Sequence, residues 1–392
     1  LLEKNAKSLR VLAEGAKRPR YYSPLVSAAD GSLADAELAI GSPEIHEVTR
    51  QLAARGMLQL GTGNIDGAWE EILAGCRLLR LYAQQPLFIH RVIAIARQDA
   101  INRIAVALSQ SNAVSADRLK DFQSQWVEVT PLPSSTDVWN GGERLYGHSY
   151  VYEIARDKNQ AKAFKTIDWL FNFGDDSAKR QFQALKKIMS QKDMDWSEVL
   201  RCRNRLTDRA IQEMGSGPYS KRFAAMTAIE KEASQSAAQA ADEVLSPQWD
   251  AKPPTPEAAG RQFAAILNGP GPLGFTFTAA VRVDARYTMQ RQLVLIAFAL
   301  TRYQRDHQKY PESLSELQPG YVDKLPTDIF NEDRPLQYKT DRKGYLVYSL
   351  GFNGKDDEGR GVGDNVVSGE NQEMTNWDDI AISTPDWKPG KK

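Results

Sequence analysis

Residues 299–317, ALTRYQRDHQKYPESLSEL, mark the place where this 392-residue chain changes from helix to mixed structure. Ahead of them, apolar side chains recur at three- and four-residue spacings from Met289 to Tyr303. This spacing predicts one amphipathic helix over Arg286 to Lys309. Pro311 cannot continue that helix, so a second, short helix is expected over Ser313 to Leu317.

Short strands are predicted downstream of these helices. A turn at Pro326 to Asp328 precedes them, and a second turn around Asp341 to Lys343 joins the first two. Alternating and β-branched residues predict the strands Pro335 to Tyr338, Gly344 to Leu350 and Asp379 to Ile382. The back of the chain is therefore expected to be a small α+β unit, with a long helix laid against an antiparallel sheet.

The order of these elements and residues resembles the soluble domain of the major pseudopilin of type II secretion, over about Arg286 to Pro385. The residues that carry the resemblance are Ala299-Leu300, Tyr303, Asp306, Tyr310-Pro311, Leu325-Pro326, Asp328, Phe330, Tyr348 to Gly351, Asn353-Gly354 and Asn376 to Asp379. The whole chain also resembles extracytoplasmic proteins of planctomycete-type bacteria that carry this unit at the C-terminus, a likeness that implies a location but no activity.

The chain departs from a pseudopilin in one respect. A pseudopilin begins with a strongly hydrophobic helix that packs into the pilus core, whereas here a long helical region comes first and the corresponding helix carries Arg282, Arg286 and Arg291. A pilus subunit of that kind is therefore not expected. The resemblance instead implies a pseudopilin-like module reused as a rigid cap or interaction surface.

An acidic loop in this module predicts a cation site. In major pseudopilins the loop after Ser-Leu-Gly binds calcium, and the resemblance implies the Leu350 carbonyl and the Asn353 side chain as ligands, although pseudopilins usually have aspartate at the Asn353 position. Several carboxylates crowd the same glycine-rich loop, and hard cations take six to eight oxygen ligands. The predicted ligands are Leu350, Asn353, Asp356, Asp357, Asp364 and Asp379, with Glu358 and Asp378 nearby. The alternative is a solvated acidic loop without an ion.

The front of the chain is predicted to be an all-α domain over residues 1–245. Helical spacing from Ile45 to about Ser109, interrupted at Pro86, predicts a helical hairpin, and further helices are predicted over Asp117–Trp126, Gln160–Phe173, Lys179–Ser190, Trp196–Met214 and Ser220–Val244. Residues 246–285 are expected to be a linker with a short helix, residues 286–385 the pseudopilin-like domain, and residues 386–392 a tail.

Composition restricts the partners. Lysine plus arginine and aspartate plus glutamate are 50 each, so no net positive field is available to attract nucleic acid. No run approaches the roughly 18 apolar residues of a spanning helix, so a membrane contact is expected only through an anchor ahead of Leu1. Cys76 and Cys202 are expected to be two buried thiols, with a single disulfide as the alternative.

Other motifs predict structural roles. Gly269, Gly271 and Gly274 satisfy GxGxxG, but the intervening prolines remove backbone donors that a phosphate site needs. His46-Glu47 begins an HExxH pattern that fails at Arg50. The pairs Asp175-Asp176 and Asp193, Asp195 precede helices and are expected to cap them, with an acid-base pair as the alternative. The tryptophans Trp69, Trp126, Trp139, Trp169, Trp196 and Trp249 are expected in cores or interfaces.

Three functions remain open at this stage. The first is a non-enzymatic interaction protein of the cell envelope, periplasmic or at the cell surface, with a calcium-stabilised module and a protein partner. The second is a cytoplasmic helical scaffold. The third is a hydrolase with a site in the helical domain that uses residues such as Glu143, His148 or Asp195.

Overall fold

The computed structural model describes residues 4–22, 42–129, 131–156, 176–190, 193–215, 217–269, 277–341, 344–364, 367–368 and 373–385. Within these ranges the chain is mainly helical, and every strand follows residue 326. The predicted class, a helical front followed by a small antiparallel sheet, is confirmed at this level. Several predictions lie outside the described residues: the helix Gln160–Phe173, Trp169, Asp175, Gly271 and Gly274.

Twelve α-helices precede the long helix in the described part of the chain. They are α1 (Ala6–Ala16), α2 (Ser42–Gly61), α3 (Ile65–Tyr82), α4 (Phe88–Gln110), α5 (Ala116–Val129), α6 (Ser135–Val138), α7 (Arg144–Arg156), α8 (Asp176–Met189), α9 (Trp196–Met214), α10 (Tyr219–Leu245), α11 (Pro247–Ala251) and α12 (Pro256–Leu267). A π-helical turn, Trp139–Glu143, joins α6 to α7.

The predicted hairpin is formed by α3 and α4, which pack against each other on either side of the turn at Pro86. Asn64 caps α3, because its side-chain oxygen accepts a hydrogen bond from the Gly67 amide at 3.0 Å. The apolar stripe of α3 is buried, and Trp69 stacks on Phe122 of α5 with ring centroids 4.3 Å apart. These contacts make the hairpin part of the first hydrophobic core.

The stretch after α10 contains a buried anchor. Trp249 in α11 is only 7% exposed and packs among residues of α8, α10 and α12. Its indole nitrogen donates to Gln262 Oε1 at 3.0 Å. Residues 247–251 are therefore fixed against the helical core, although their composition resembles that of a linker.

The long helix α13 (Phe277–His307) runs through the centre of the molecule. It begins at Phe277 and not, as predicted, at Arg286. Its buried side chains belong to three different cores: Val294 and Phe298 pack with α3, α4 and α5, Met289 and Leu293 pack under the sheet, and the first turns pack against α9 and α10. One helix thus joins the helical front to the sheet.

The main sheet has the strand order β3 (Gln337–Thr340), β4 (Tyr345–Ser349), β7 (Ile380–Ser383), and both pairs are antiparallel. All five residues of β4 are buried. Two further pairs of two-residue strands were not predicted: β1 (Thr327–Asp328) with β2 (Arg334–Pro335), and β5 (Val367–Ser368) with β6 (Glu373–Met374). A 3₁₀ turn, Leu314–Leu317, replaces the predicted short helix and is capped by Ser313.

Both cysteine thiols are free, so the prediction of two thiols is confirmed over the alternative disulfide, although Cys202 is only partly buried. Cys76 is fully enclosed, and burial raises the pKa of its thiol to about 12. In the described ranges, no helix combines the length and the apolarity that crossing a bilayer requires.

Candidate metal centre

The acidic loop starts where β4 ends and returns to the start of β7. The Asp328 side chain holds the first residues of this loop. One carboxylate oxygen accepts a hydrogen bond from the Ser349 hydroxyl at 2.7 Å, and the other accepts one from the Leu350 amide at 2.8 Å. Asp328 is completely buried. Because its oxygens have these donors, the buried carboxylate positions the loop and does not stand unpaired.

Gly351 lets the two ends of the loop meet. Its φ is +68°, and a Cβ atom there would lie 2.3 Å from the Asp378 carbonyl oxygen. The amides of Phe352 and Asn353 then donate to Asp378 Oδ2 at 2.9 and 3.0 Å. A residue with a side chain at this position would force Asp378 away from the loop.

Three carboxylates converge at this junction. Asp357, Asp378 and Asp379 each offer one oxygen, and these oxygens lie within 4.8 Å of one another. Asp357 Oδ2 accepts the Asn353 side-chain amide at 2.9 Å and the Asp378 amide at 3.3 Å, and Asp379 Oδ2 accepts the Gly359 amide at 2.8 Å. The three side chains are thus held in place by the loop backbone and by Asn353.

Two oxygens of this cluster are buried without a donor. Asp378 and Asp379 are 9% and 4% exposed, and among the described residues nothing donates a hydrogen bond to Oδ1 of either side chain. A buried carboxylate oxygen without a partner is costly. A cation placed between the three carboxylates would supply the missing interaction.

The burial of the cluster also shifts the pKa values of its carboxyl groups. Burial, together with the neighbouring charges of Asp357 and Asp356, raises the pKa of Asp379 to about 7, against the lowering effect of the Gly359 amide. Burial also raises the pKa of Asp378, although the Asn353 and Phe352 amides and the charge of Arg286 act in the opposite direction. Without a cation, the cluster therefore resists full ionisation.

The residues present fit a hard metal ion. All three side chains offer carboxylate oxygens, no histidine or cysteine belongs to the group, and hard cations such as calcium and magnesium prefer oxygen. Asp357, Asp378 and Asp379 could therefore hold a metal ion. Nothing in this donor set by itself distinguishes calcium from other hard cations.

The predicted ligands divide into two groups. Asp357 and Asp379 lie in the cluster, whereas Asp356 accepts the Tyr348 hydroxyl at 2.9 Å and the Glu358 amide at 2.9 Å. Asp364 accepts the Gly361 amide at 2.8 Å within its own turn. The Asn353 amide group donates to Asp357, and its side-chain oxygen accepts the Lys355 amide at 2.6 Å. At Leu350 the described contact is the one from its amide to Asp328.

Asp378 was not among the predicted ligands. It directly precedes Asp379, and the sequence placed it near the loop without naming it as a ligand. Both residues in fact lie just before β7, where the backbone turns both carboxylates toward the loop. The signal available in the sequence was the pair of aspartates after Asn376-Trp377, which belongs to the pseudopilin motif.

The two acidic side chains predicted for a hydrolase accept hydrogen bonds from backbone amides. Asp195 caps α9 by accepting the Ser197 and Glu198 amides at 2.9 and 3.1 Å, as predicted for a cap. Glu143 accepts the Phe88 amide at 2.6 Å at the start of α4. Burial, followed by the charges of Arg203 and Arg144, lowers the pKa of His148. Two of the three groups are therefore engaged in holding helix ends.

No family model matches the chain, and neither a curated protein nor a solved structure does. The likeness to pseudopilins therefore depends on the order of its motifs alone.

Proposed function

We propose that the chain is a non-enzymatic protein of the cell envelope whose pseudopilin-like C-terminal module binds calcium and serves interaction with a protein partner. The observation that supports the cation is the pair of buried oxygens, Asp378 Oδ1 and Asp379 Oδ1, for which the described residues provide no donor. Both side chains cluster with a third carboxylate, Asp357, in a loop that is already held by backbone amides.

Calcium is favoured over magnesium by the nature of the loop. Magnesium requires near-ideal octahedral geometry and gives up its water reluctantly, whereas calcium accepts six to eight oxygens in variable geometry. A loop with left-handed glycines at 351, 354 and 359 can turn carbonyl groups toward an ion from several directions. The pseudopilin resemblance independently suggests calcium at this loop.

A calcium site in a loop of this kind favours a location outside the cytoplasm. Extracellular calcium modules typically have dissociation constants of about 10⁻⁴ to 10⁻³ M, which only millimolar calcium saturates. The resemblance to extracytoplasmic proteins supports the same location. Fractionation of cells that express the complete reading frame tests it, and recovery of the protein in the cytoplasmic fraction would contradict it.

The cation is tested by titrating metal-free protein with calcium in a calorimeter and by measuring its Tm. We expect saturable binding of one ion, with a Tm that rises with calcium concentration because a ligand that binds only the folded state stabilises it. Asp378→Asn and Asp379→Asn should abolish both effects. The matched control is Asp323→Asn, an exposed aspartate of the same module, which should bind like the wild type.

Magnesium provides the second arm of the experiment. Equal responses to calcium and magnesium would contradict the choice of calcium but not a cation site. An absence of heat and of any Tm change with either ion would remove the cation from the proposal.

A further inference from the structure

The edge strand β7 lines a cleft between the module and the helical front. The cleft has a volume of about 750 Å³, and α4, α13, β7 and residues 358–364 form its walls. In the sheet order, β4 pairs with one side of β7, and the opposite side faces the cleft. An unpaired strand edge exposes backbone donors and acceptors that a further strand can use.

The register identifies which backbone groups point into the cleft. The Thr384 amide donates to the Tyr345 carbonyl at 3.1 Å, so Tyr345 and Thr384 form a hydrogen-bonded pair. In an antiparallel ladder such pairs alternate with pairs whose backbone groups point outward. Since Tyr348 lies opposite Ala381 and Leu346 opposite Ser383, the amide and carbonyl groups of Ala381 and Ser383 point away from β4.

Both ends of this edge are already occupied from within the molecule. The Asp379 amide donates to the Arg360 carbonyl at 3.0 Å, and the Ser383 carbonyl accepts the Gln110 side-chain amide at 3.3 Å. Between them, the amide and carbonyl of Ala381 and the amide of Ser383 have no partner in the described part of the chain. Ala381 is exposed. The edge thus offers a short row of groups with the spacing of an extended peptide.

Among the described residues, one of the three arginines that line the cleft has no ion-pair partner, although four carboxylates, those of Asp99, Glu358, Asp364 and Asp379, line it as well. Arg103 pairs with Asp99 on its own helix at 3.1 Å, and Arg360 lies 3.7 Å from Glu358. Half-buried Arg286 also lines the cleft, and no carboxylate of the described residues lies within 4.0 Å of its guanidinium. The charge of Arg286 acts on Asp378, which a bound cation would neutralise. Arg286 would then be the natural partner of a ligand carboxylate, since a guanidinium can bind one in a bidentate manner.

We propose that an extended segment of a partner protein binds in this cleft as an additional strand on β7, with one of its carboxylates on Arg286. Main-chain hydrogen bonds to Ala381 and Ser383 provide the pairing, as in other cases of strand addition. The charge argument rests on the cation of the proposed function, whereas the geometry of the edge does not.

The probe is a phage-displayed library of random heptapeptides, selected on the full chain at saturating calcium. The counter-selection uses Ala381→Pro, which removes the outward amide and is compatible with a strand edge. We expect enrichment of sequences with Asp or Glu on the wild type but not on the variant. An enriched peptide, made synthetically, should lose at least about tenfold in affinity on Ala381→Pro and on Arg286→Gln, about 1.4 kcal/mol.

Controls keep the result independent of folding. Arg334→Gln, which changes an exposed arginine paired with Glu332, should leave the affinity for the peptide unchanged. Hydrogen exchange on the wild-type protein should slow at the amides of Ala381 and Ser383 when the peptide binds, which requires no variant at all. Failure to enrich any peptide, equal binding to Ala381→Pro, or slowed exchange only outside β7 would overturn the proposal.

The failure of this proposal can be told apart from failure of the cation site. Calcium binding is measured calorimetrically without any peptide. If the protein binds no calcium but still enriches peptides that bind at β7, the result would support strand addition and contradict the cation. Calcium binding without peptide selection would support the cation and overturn strand addition.

Discussion

Asp379 makes the behaviour of the cluster depend on pH. Its pKa of about 7 in the folded protein lies above the value of 3.8 for an unperturbed aspartate, so the folded state binds more protons between these values. Metal-free protein should therefore lose stability as pH rises from about 4 to 7. Calcium requires the ionised form, so its affinity should rise about tenfold from pH 6 to pH 8.

Calorimetric titrations at several pH values, in buffers of different ionisation enthalpy, measure both the affinity and the protons released. Asp379→Asn resembles the protonated side chain, so its metal-free stability should depend on pH less than that of the wild type in this range. An affinity that is constant from pH 6 to pH 8 would contradict a role for Asp379 in binding.

Two glycines of the acidic loop form a matched pair of tests. Gly351 and Gly354 have φ angles of +68° and +65°, but an added Cβ would clash with Asp378 only at Gly351. Gly354→Ala should cost only the conformational penalty, about 1–2 kcal/mol. Gly351→Ala should cost more and should also weaken calcium binding, because Asp378 must move. Urea unfolding and calcium titration of both variants measure the difference, and equal effects would contradict the proposed close approach.

At the scale of the elements, an ion pair between buried Arg91 and partly buried Asp284 fixes α13 against the front of the molecule. Asp284 Oδ1 accepts Arg91 Nε from α4 at 2.7 Å and the Ser135 hydroxyl from α6 at 2.8 Å, and Arg91 is 5% exposed. Asp284→Ala leaves a buried guanidinium without its carboxylate, which should cost about 3–5 kcal/mol.

The control for this prediction is Glu232→Ala, which breaks the exposed pair of Glu232 with Arg209. Exposed pairs contribute about 0–1 kcal/mol. Denaturant unfolding should therefore separate the two variants clearly. Similar losses in both would show that the Asp284 contact is not shielded from water.

Local signals explain which elements could be predicted. The bounds of α9, Trp196–Met214, agree with the prediction because Asp195 caps one end and Gly215 follows the other. The predicted start of α13 was wrong. Asp284 in its early turns is polar, and its partner, Arg91, is remote in sequence. Strands of two residues, such as β1 and β2, are too short to show a periodic pattern.

The same limit applied to the candidate metal centre. Asp357 and Asp379 were predicted because acidic residues crowded a glycine-rich loop, a feature of the local sequence. The different roles of the individual carboxylates could not be predicted from the sequence. Asp356 is directed to Tyr348 and Asp328 anchors the loop from beneath, and both roles depend on how the loop folds over β4.

At the scale of the whole molecule, the acidic loop is connected to the helical front by aromatic contacts. Phe352, next to the cluster, packs on Phe330 with ring centroids 4.9 Å apart, and Phe330 packs on Tyr219 of α10 at 4.8 Å. Arg282 of α13 lies over the Phe352 ring at 5.7 Å. Ordering of the loop by a cation would therefore stabilise the contact between the module and the helices as well as the module itself.

These contacts, and above all α13, predict that the chain unfolds as one unit. Val294 and Phe298 are fully buried against α3, α4 and α5, while Leu293 and Ile296 are fully buried under the sheet. Melting either part would expose one side of the same helix. Scanning calorimetry of metal-free protein should then show a single transition whose calorimetric and van't Hoff enthalpies agree. Calcium at ten times its Kd should stabilise the folded chain by about 1.4 kcal/mol and shift that whole transition upward. Two transitions, of which calcium shifts only one, would show instead that the sheet module melts separately and that α13 can be divided between them.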